Sequence, residues 1–409
     1  MTNAYMSDSS YPSADLDLFS DAALLDPYPL YRQLRDQAPV VWLDSLGVYA
    51  IMRYDDVKSA LRDWKTFSSA QGVGLNPAFN ETRNMLQTDP PEHDHMRAIV
   101  GAPVTMASVA ALTDQIQAEA DHIVDAVLER GHIDGVRDLA WHLPLTIVSR
   151  FVGLPESARM QMLVWSEAAS NLAGPVRPQP SPAYAGRASR AAEAIQGLFQ
   201  FLGGGAAVRE QVAPGSWAAR LYEAADQGKI PLAMVPILLL DYIGPALETT
   251  ISATGTLLAL FAQHPDQWDS VRSDASLVAK AVNEAIRLDP PLPYFTRVST
   301  VDAQIDGISI PAGSRVLLGY ASANRDERAW EDPERFDVTR DSSKHLGFGH
   351  GLHSCMGMHL AKLEMNCLFN ALRLRIQRIA FDGEPKRAVT NSALRAYHHL
   401  PLLLTAGAI

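Results

Sequence analysis

Cysteine is almost absent from this chain: Cys355 and Cys367 are the only two in 409 residues. Two cysteines build no disulfide framework, which excludes a small stapled secreted scaffold and fits a reducing cytoplasm. A basic excess is also missing. There are 35 lysines and arginines against 46 aspartates and glutamates, a formal net charge of −11, so a cationic nucleic-acid surface is not expected. Residues 1–17 are polar and acidic. They contain neither the basic n-region nor the apolar h-region of a secretory leader, and no membrane span, so a cytoplasmic protein without membrane association is expected. No internal repeat and no dividing linker is found. What is present is 47% hydrophobic residues, enough for a sizeable core. Helical patterns dominate the middle and most strand patterns lie toward the two ends. The fold class is therefore mainly α (α+β), with a loose tail over residues 1–26 and one domain over 27–409.

One cysteine stands in a glycine-rich run, Phe348-Gly349-His350-Gly351-Leu352-His353-Ser354-Cys355-Met356-Gly357. Its glycines permit tight turns and close approach of a flat ligand to the backbone. A helical pattern follows from Met358, which puts Cys355 at a helix N-terminus, where free N–H groups and the helix dipole favour a thiolate. Such a thiolate can act as a nucleophile or a metal ligand, although a lone cysteine is more often inert core. Cys367, in an apolar helical stretch, is read as inert.

Asp89-Pro90-Pro91-Glu92-His93-Asp94-His95-Met96-Arg97 reads as a helix start, with Asp89 as cap. His93 and Arg97 are four apart and share a face, which suits a carboxylate or else a solvated polar face; His95 is off that face. The stretch 231–261 is apolar nearly all round and so buried, yet it contains Asp241, Pro245, Glu248, Thr249 and Thr250. A buried acid needs a partner, water or a raised pKa. Pro245 lacks an N–H and crowds the carbonyl of Asp241, so a kink able to hold water is expected there. Glu284 and Arg287 form an i,i+3 pair of a kind that is ordinarily on the surface. Residues 67–88 lack a steady period and read as a long loop. The proline-rich stretch 174–182 reads as an extended connector.

The decad resembles, position by position, the haem-ligand loop of the cytochrome P-450 family. Pro245-Ala246-Leu247-Glu248-Thr249-Thr250 resembles that family's oxygen-activation motif, with Pro245 for the usual alanine and Ala246 for the usual glycine. The E-x-x-R pair Glu284/Arg287 and the H-x-x-x-R pair His93/Arg97 occur in the family's order, and the likeness runs from about Pro27 to the C-terminus. The resemblance implies a helix-rich cytochrome P-450 fold with small β-sheets around haem b (iron protoporphyrin IX). Cys355 would ligate the iron, and Phe348 and Gly349 would belong to its loop. His93, Arg97, Arg297 and His353 would hold the propionates, while Glu248 and Thr249 would serve oxygen activation. Glu284 and Arg287 would be structural, their network completed by Arg335. Gln71, Val73, Leu75, Asp241, Ala246, Leu292, Phe295 and Leu394 are the pocket residues it implies, Leu394 being the tip of a turn over 392–395. The implied activity is monooxygenation: one atom of O2 enters a small organic substrate of aromatic type by hydroxylation or O-demethylation. Electrons would come from a ferredoxin and its NAD(P)H-dependent reductase, which Lys344 and Lys362 would help to dock. A larger terpenoid or polyketide substrate, peroxide-driven peroxygenase chemistry and a haem-thiolate gas sensor are the alternatives.

Overall fold

The apolar stretch at the middle of the chain forms two helices end to end, Val235–Ala246 and Glu248–Gln263. The break at Leu247 (φ −93°, ψ −67°) follows Pro245 directly, because the proline ring removes an N–H and displaces the preceding turn. The second half is buried over most of its length, and Phe261 packs on Trp268, Phe336 and Phe369. The helices Thr113–Leu128 and Met358–Arg375 pack against each other and continue this core. The helix Arg159–Leu172 lies across the break from outside. The computed structural model describes residues 11–176, 182–203, 206–388 and 394–407.

The strands gather to one side. A six-stranded sheet runs in the order Ser13–Ala14, Val40–Leu43, Val48–Ile51, Arg315–Leu318, Phe295–Ser299, Phe67–Ser68. Two of these strands form a hairpin: Val40 pairs with Ile51 and Leu43 with Val48, and Gly47 at φ +64° closes the turn. A three-stranded sheet joins Ile376–Phe381, Pro401–Ala406 and His132–Asp134. Two-stranded ribbons complete the set.

Three expectations are corrected. Residues 11–26 are not a loose tail: Ser13 and Ala14 pair with Trp42 and Leu43, Ser20 caps the helix Asp21–Leu25, and Leu18 and Phe19 are buried. Their apolar side chains close one end of the sheet, a tertiary effect that composition hides. The stretch 133–152, whose apolar spacing reads as mostly helical, opens instead with the strand His132–Asp134 and a π-helical turn, Gly135–Ala140, before the helix His142–Val152. Asp134 causes this by accepting the N–H groups of Val136 and Arg137. Asp89 does not cap the helix Glu92–Gly101 with its side chain. Its carboxylate is taken by Ser68 Oγ (2.5 Å) and the Ser69 N–H (3.2 Å) instead. Of the proline-rich connector, residues 177–181 lie outside the described residues, as do residues 392 and 393 of the C-terminal turn.

Candidate active site

The cysteine loop is shaped by two left-handed glycines, Gly349 (φ +68°) and Gly351 (φ +71°). A Cβ on Gly351 would stand 2.6 Å from the Leu61 carbonyl oxygen, so only glycine fits. The Cys355 N–H returns to the Phe348 carbonyl at 2.8 Å. Arg97 reaches in from its helix and donates to the carbonyls of Leu352 (3.2 Å) and Ser354 (2.8 Å). The helix Met358–Arg375 begins where the pattern put it, and the N–H groups of Gly357 and Met358 bond the sulfur. Burial nevertheless pushes the Cys355 thiol up, with those amides, Arg97 and Lys362 opposing it. The residue keeps accessible surface.

Four basic groups stand together beside this loop. His93 has no exposed surface, and its Nδ1 is 3.0 Å from the Asp94 carboxylate. Its ring lies 4.5 Å from that of His353, centroid to centroid. The Nε2 atoms of both histidines are buried without a hydrogen-bond partner. Burial lowers the pKa of His353 to about 4, although Asp89 lies 4.0 Å away. Arg297 is buried on the strand Phe295–Ser299 and spends one N–H on the Thr296 carbonyl at 2.7 Å.

The break in the central helix carries the acid and the alcohol. The Thr249 hydroxyl donates to the Pro245 carbonyl at 2.6 Å. Burial, and then the charge of Glu167, push the pKa of Glu248 up to about 8. Pro245 and Ala246 keep exposed surface on a helix that is otherwise largely buried. Two turns earlier Asp241 is buried, accepts the Met85 N–H at 3.3 Å and is pushed up to about 7 by burial.

The other pocket expectations divide. Leu292 and Phe295 are half-buried, and Phe295 packs edge-on against Tyr320 at 6.1 Å. Leu75 is half-buried, with its N–H on the Ala173 carbonyl at 3.1 Å. Leu394 is buried beside Leu24, Tyr31 and Tyr294. The Gln71 side chain is exposed, and its carbonyl accepts from Arg315 at 2.9 Å. Val73 has no accessible surface, and its carbonyl accepts the Thr296 N–H at 2.8 Å.

Sequence reasoning singled out Glu284 and Arg287 but missed Arg340, Glu364 and Ser166. Glu284 and Arg287 are wholly buried in a two-pronged pair at 2.7 and 2.8 Å. Their third member is Arg340, whose Nε reaches Glu284 at 3.1 Å; Arg335 points outward to Asp337, so the expected role of its side chain is corrected. Glu364, on the cysteine helix, is buried with Oε1 unpaired, and burial pushes its pKa up to about 8. Ser166 inserts into the break of the central helix. No spacing in the sequence marks Arg340 or Ser166, since each meets its partner only through the tertiary fold.

The fold is helix-rich α+β, with a glycine-framed cysteine at a helix N-terminus and an acid and an alcohol at the break of a buried apolar helix. The family model described as Cytochrome P450 matches residues 220–388. The chain is 34% identical over 403 residues to cytochrome P450 CYP199A2 of Rhodopseudomonas palustris, covering 96% of this chain and 95% of that one. It is 31% identical over 409 residues to 6-deoxyerythronolide B hydroxylase of Saccharopolyspora erythraea, covering 95% and 98%. The solved structure of cytochrome P450 CYP109Q5 from Chondromyces apiculatus aligns with a TM-score of 0.82 at 27% identity, covering 97% of this chain and all of that one. The chain belongs to the cytochrome P450 family; it is a monooxygenase whose cofactor is haem b. The residues present fit that group. Two orphaned imidazole nitrogens and two guanidinium groups match two carboxylates, and the cysteine stands at a helix N-terminus with surface left accessible.

Proposed function

We propose that this P450 oxidises a small aromatic compound, neutral or bearing a phenolic hydroxyl, by hydroxylation or by O-demethylation of an aromatic ether. Asp241 carries the reading. It is a buried acid on the same helix line as the break, and among the described residues only Met85 is seen to donate to it. A carboxylate there accepts a hydrogen bond from a phenol and repels a benzoate. Ala246, Leu292 and Phe295 contact the apolar body of the substrate in this reading, and Gln71, Leu75 and Leu394 border the entrance.

Cys355 is assigned as the iron ligand. His93, Arg97, Arg297 and His353 pair with the haem propionates, with Phe348 and Gly349 against the ring. Haem b held by the Cys355 thiolate would supply the oxidising chemistry. Placing one oxygen atom in the substrate and reducing the other to water consumes two electrons and two protons. The protons must reach the interior past an apolar helix. Glu248 is suited to carry them, because with a pKa of about 8 its carboxyl is protonated at neutral pH. The Thr249 hydroxyl, fixed on the Pro245 carbonyl, turns its lone pairs away from that carbonyl to take a proton. The electrons are assigned to a separate ferredoxin and its NAD(P)H-dependent reductase, docking where Lys344 and Lys362 flank the cysteine loop. A cytoplasmic location and one domain that includes residues 11–26 belong to the same reading.

The test is titration of the haem protein with 2-methoxyphenol, 4-methoxyphenol, anisole and 4-methoxybenzoate, following the spin-state shift and formaldehyde release. The methoxyphenols are expected to bind and release formaldehyde, and the benzoate to bind much more weakly. Asp241→Asn should weaken methoxyphenol binding about tenfold, the worth of one charge-assisted hydrogen bond. In the wild type, binding tightens as pH rises through about 7, where Asp241 loses its proton and becomes the better acceptor; the variant loses that dependence. If no methoxyphenol gives a shift or formaldehyde, the substrate assignment falls.

A further inference from the structure

We infer that Ser166 is a positioning residue for the oxygen chemistry, its hydroxyl replacing one rung of the central helix and so holding open the turn that bears Glu248 and Thr249. In an unbroken α-helix the Gly244 carbonyl accepts directly from the Glu248 N–H. Here the Ser166 hydroxyl stands between them: it donates to the Gly244 carbonyl at 2.6 Å and accepts from the Glu248 N–H at 3.4 Å. Ser166 belongs to another helix, Arg159–Leu172, and its side chain has no exposed surface. The two helices lie close together here: a Cβ at Gly244 would stand in ordinary contact with the Ala169 Cβ, at 3.5 Å.

Pro245 accounts for only part of the break. It takes the N–H from its own position and leaves the Asp241 carbonyl without its helical donor. It removes nothing from the Gly244–Glu248 rung, since both partners are intact. That rung is opened by the inserted hydroxyl, which satisfies both groups and so makes the open form stable. One consequence is mechanical. The end of the Ser166 helix is tied to the loop beside the pocket through the Leu75 N–H and the Ala173 carbonyl at 3.1 Å. A movement of that loop is therefore delivered, through one helix, to the backbone of Glu248. This inference rests on the reading of Glu248 and Thr249 as the proton path.

The experiment compares wild type, Ser166→Ala, Pro245→Ala and Glu248→Gln. The first readout needs no turnover: amide hydrogen exchange at Glu248 in the haem-loaded protein. Ser166→Ala should slow it at least about tenfold as the rung closes, while Pro245→Ala should leave it within about threefold of wild type. No slowing in Ser166→Ala, with slowing in Pro245→Ala, would mean that the proline alone keeps the turn open, and the inference is then wrong. The second readout is NAD(P)H-driven turnover with a surrogate ferredoxin and reductase and 2-methoxyphenol as probe. Ser166→Ala should lower kcat several-fold, leave KM unchanged and raise the solvent deuterium isotope effect on kcat. A purely structural serine would move thermal unfolding and leave the isotope effect where it was. Glu248→Gln separates the two levels. If it leaves kcat and the isotope effect at wild-type values, the proton-path reading fails, while the exchange result still decides whether Ser166 opens the rung.

Discussion

Cys355→Ala is expected to lose the thiolate-type Soret band of the reduced, carbon monoxide-treated protein and to oxidise no substrate above background. Cys367→Ala is expected to keep both. The difference follows from where the two thiols lie. Cys355 has its sulfur at the start of a helix, faced by the amides of Gly357 and Met358 and by Arg97 and Lys362, and the residue keeps accessible surface. Each of these groups stabilises negative charge, so the sulfur is ready to lose its proton once a metal supplies the charge that burial alone denies it. Cys367 is buried in the packed face of the same helix, and burial pushes its pKa up to about 11. Removing the Cys355 sulfur leaves two amides without an acceptor, about 1–3 kcal/mol. That is small enough for the chain to fold, so loss of the band at unchanged far-UV helix content would report the ligand and not the fold. A thiolate-type band retained in Cys355→Ala would overturn the assignment and with it the role of every group placed around the haem.

The cysteine loop, the broken helix and the His93/Arg97 pair were legible in the sequence for one physical reason: their chemistry lies in consecutive residues or along one helix face. Gly351 is required because of a local left-handed turn, and Pro245 breaks its own helix. The rest depends on which distant segment arrives. Asp89 sits where a capping residue should, yet the strand Phe67–Ser68 brings two donors that outbid the helix for its carboxylate. Val73 lies in the loop from which the resemblance draws lining residues, and there the neighbouring strand takes its carbonyl. Ser166 looks like any small residue of an amphipathic helix, and nothing in its neighbours foretells a contact with a backbone about eighty positions away. The same limit applies to residues 11–26, whose few apolar side chains are decisive only because the sheet leaves an end for them to cover.

Glu284→Ala or Arg287→Ala is expected to abolish accumulation of folded, haem-loaded protein, whereas Arg335→Ala should fold and bind haem as the wild type does. The two buried side chains meet through paired hydrogen bonds of 2.7 and 2.8 Å with no exposed surface on either. Cutting one partner from a buried pair leaves an uncompensated charge, at a cost of about 3–5 kcal/mol. That is a large share of the net stability of a folded chain, about 5–15 kcal/mol. Removing both partners together should give no rescue here, although that often restores stability for an isolated pair. Arg287 also donates to the carbonyls of Asn324 and Pro333, each at 2.8 Å, and Glu284 also accepts from Arg340 and from Ser342. These contacts pin the irregular segment that leads into the cysteine loop, so the double variant orphans four further groups and frees the approach to Cys355. Arg287→Lys keeps the charge but cannot make the planar two-pronged contact, and should fall between wild type and Arg287→Ala. Thermal unfolding and the haem-to-protein ratio of purified variants would decide. If Glu284→Ala unfolds at the wild-type temperature with a full complement of haem, the network is not what holds the loop in place.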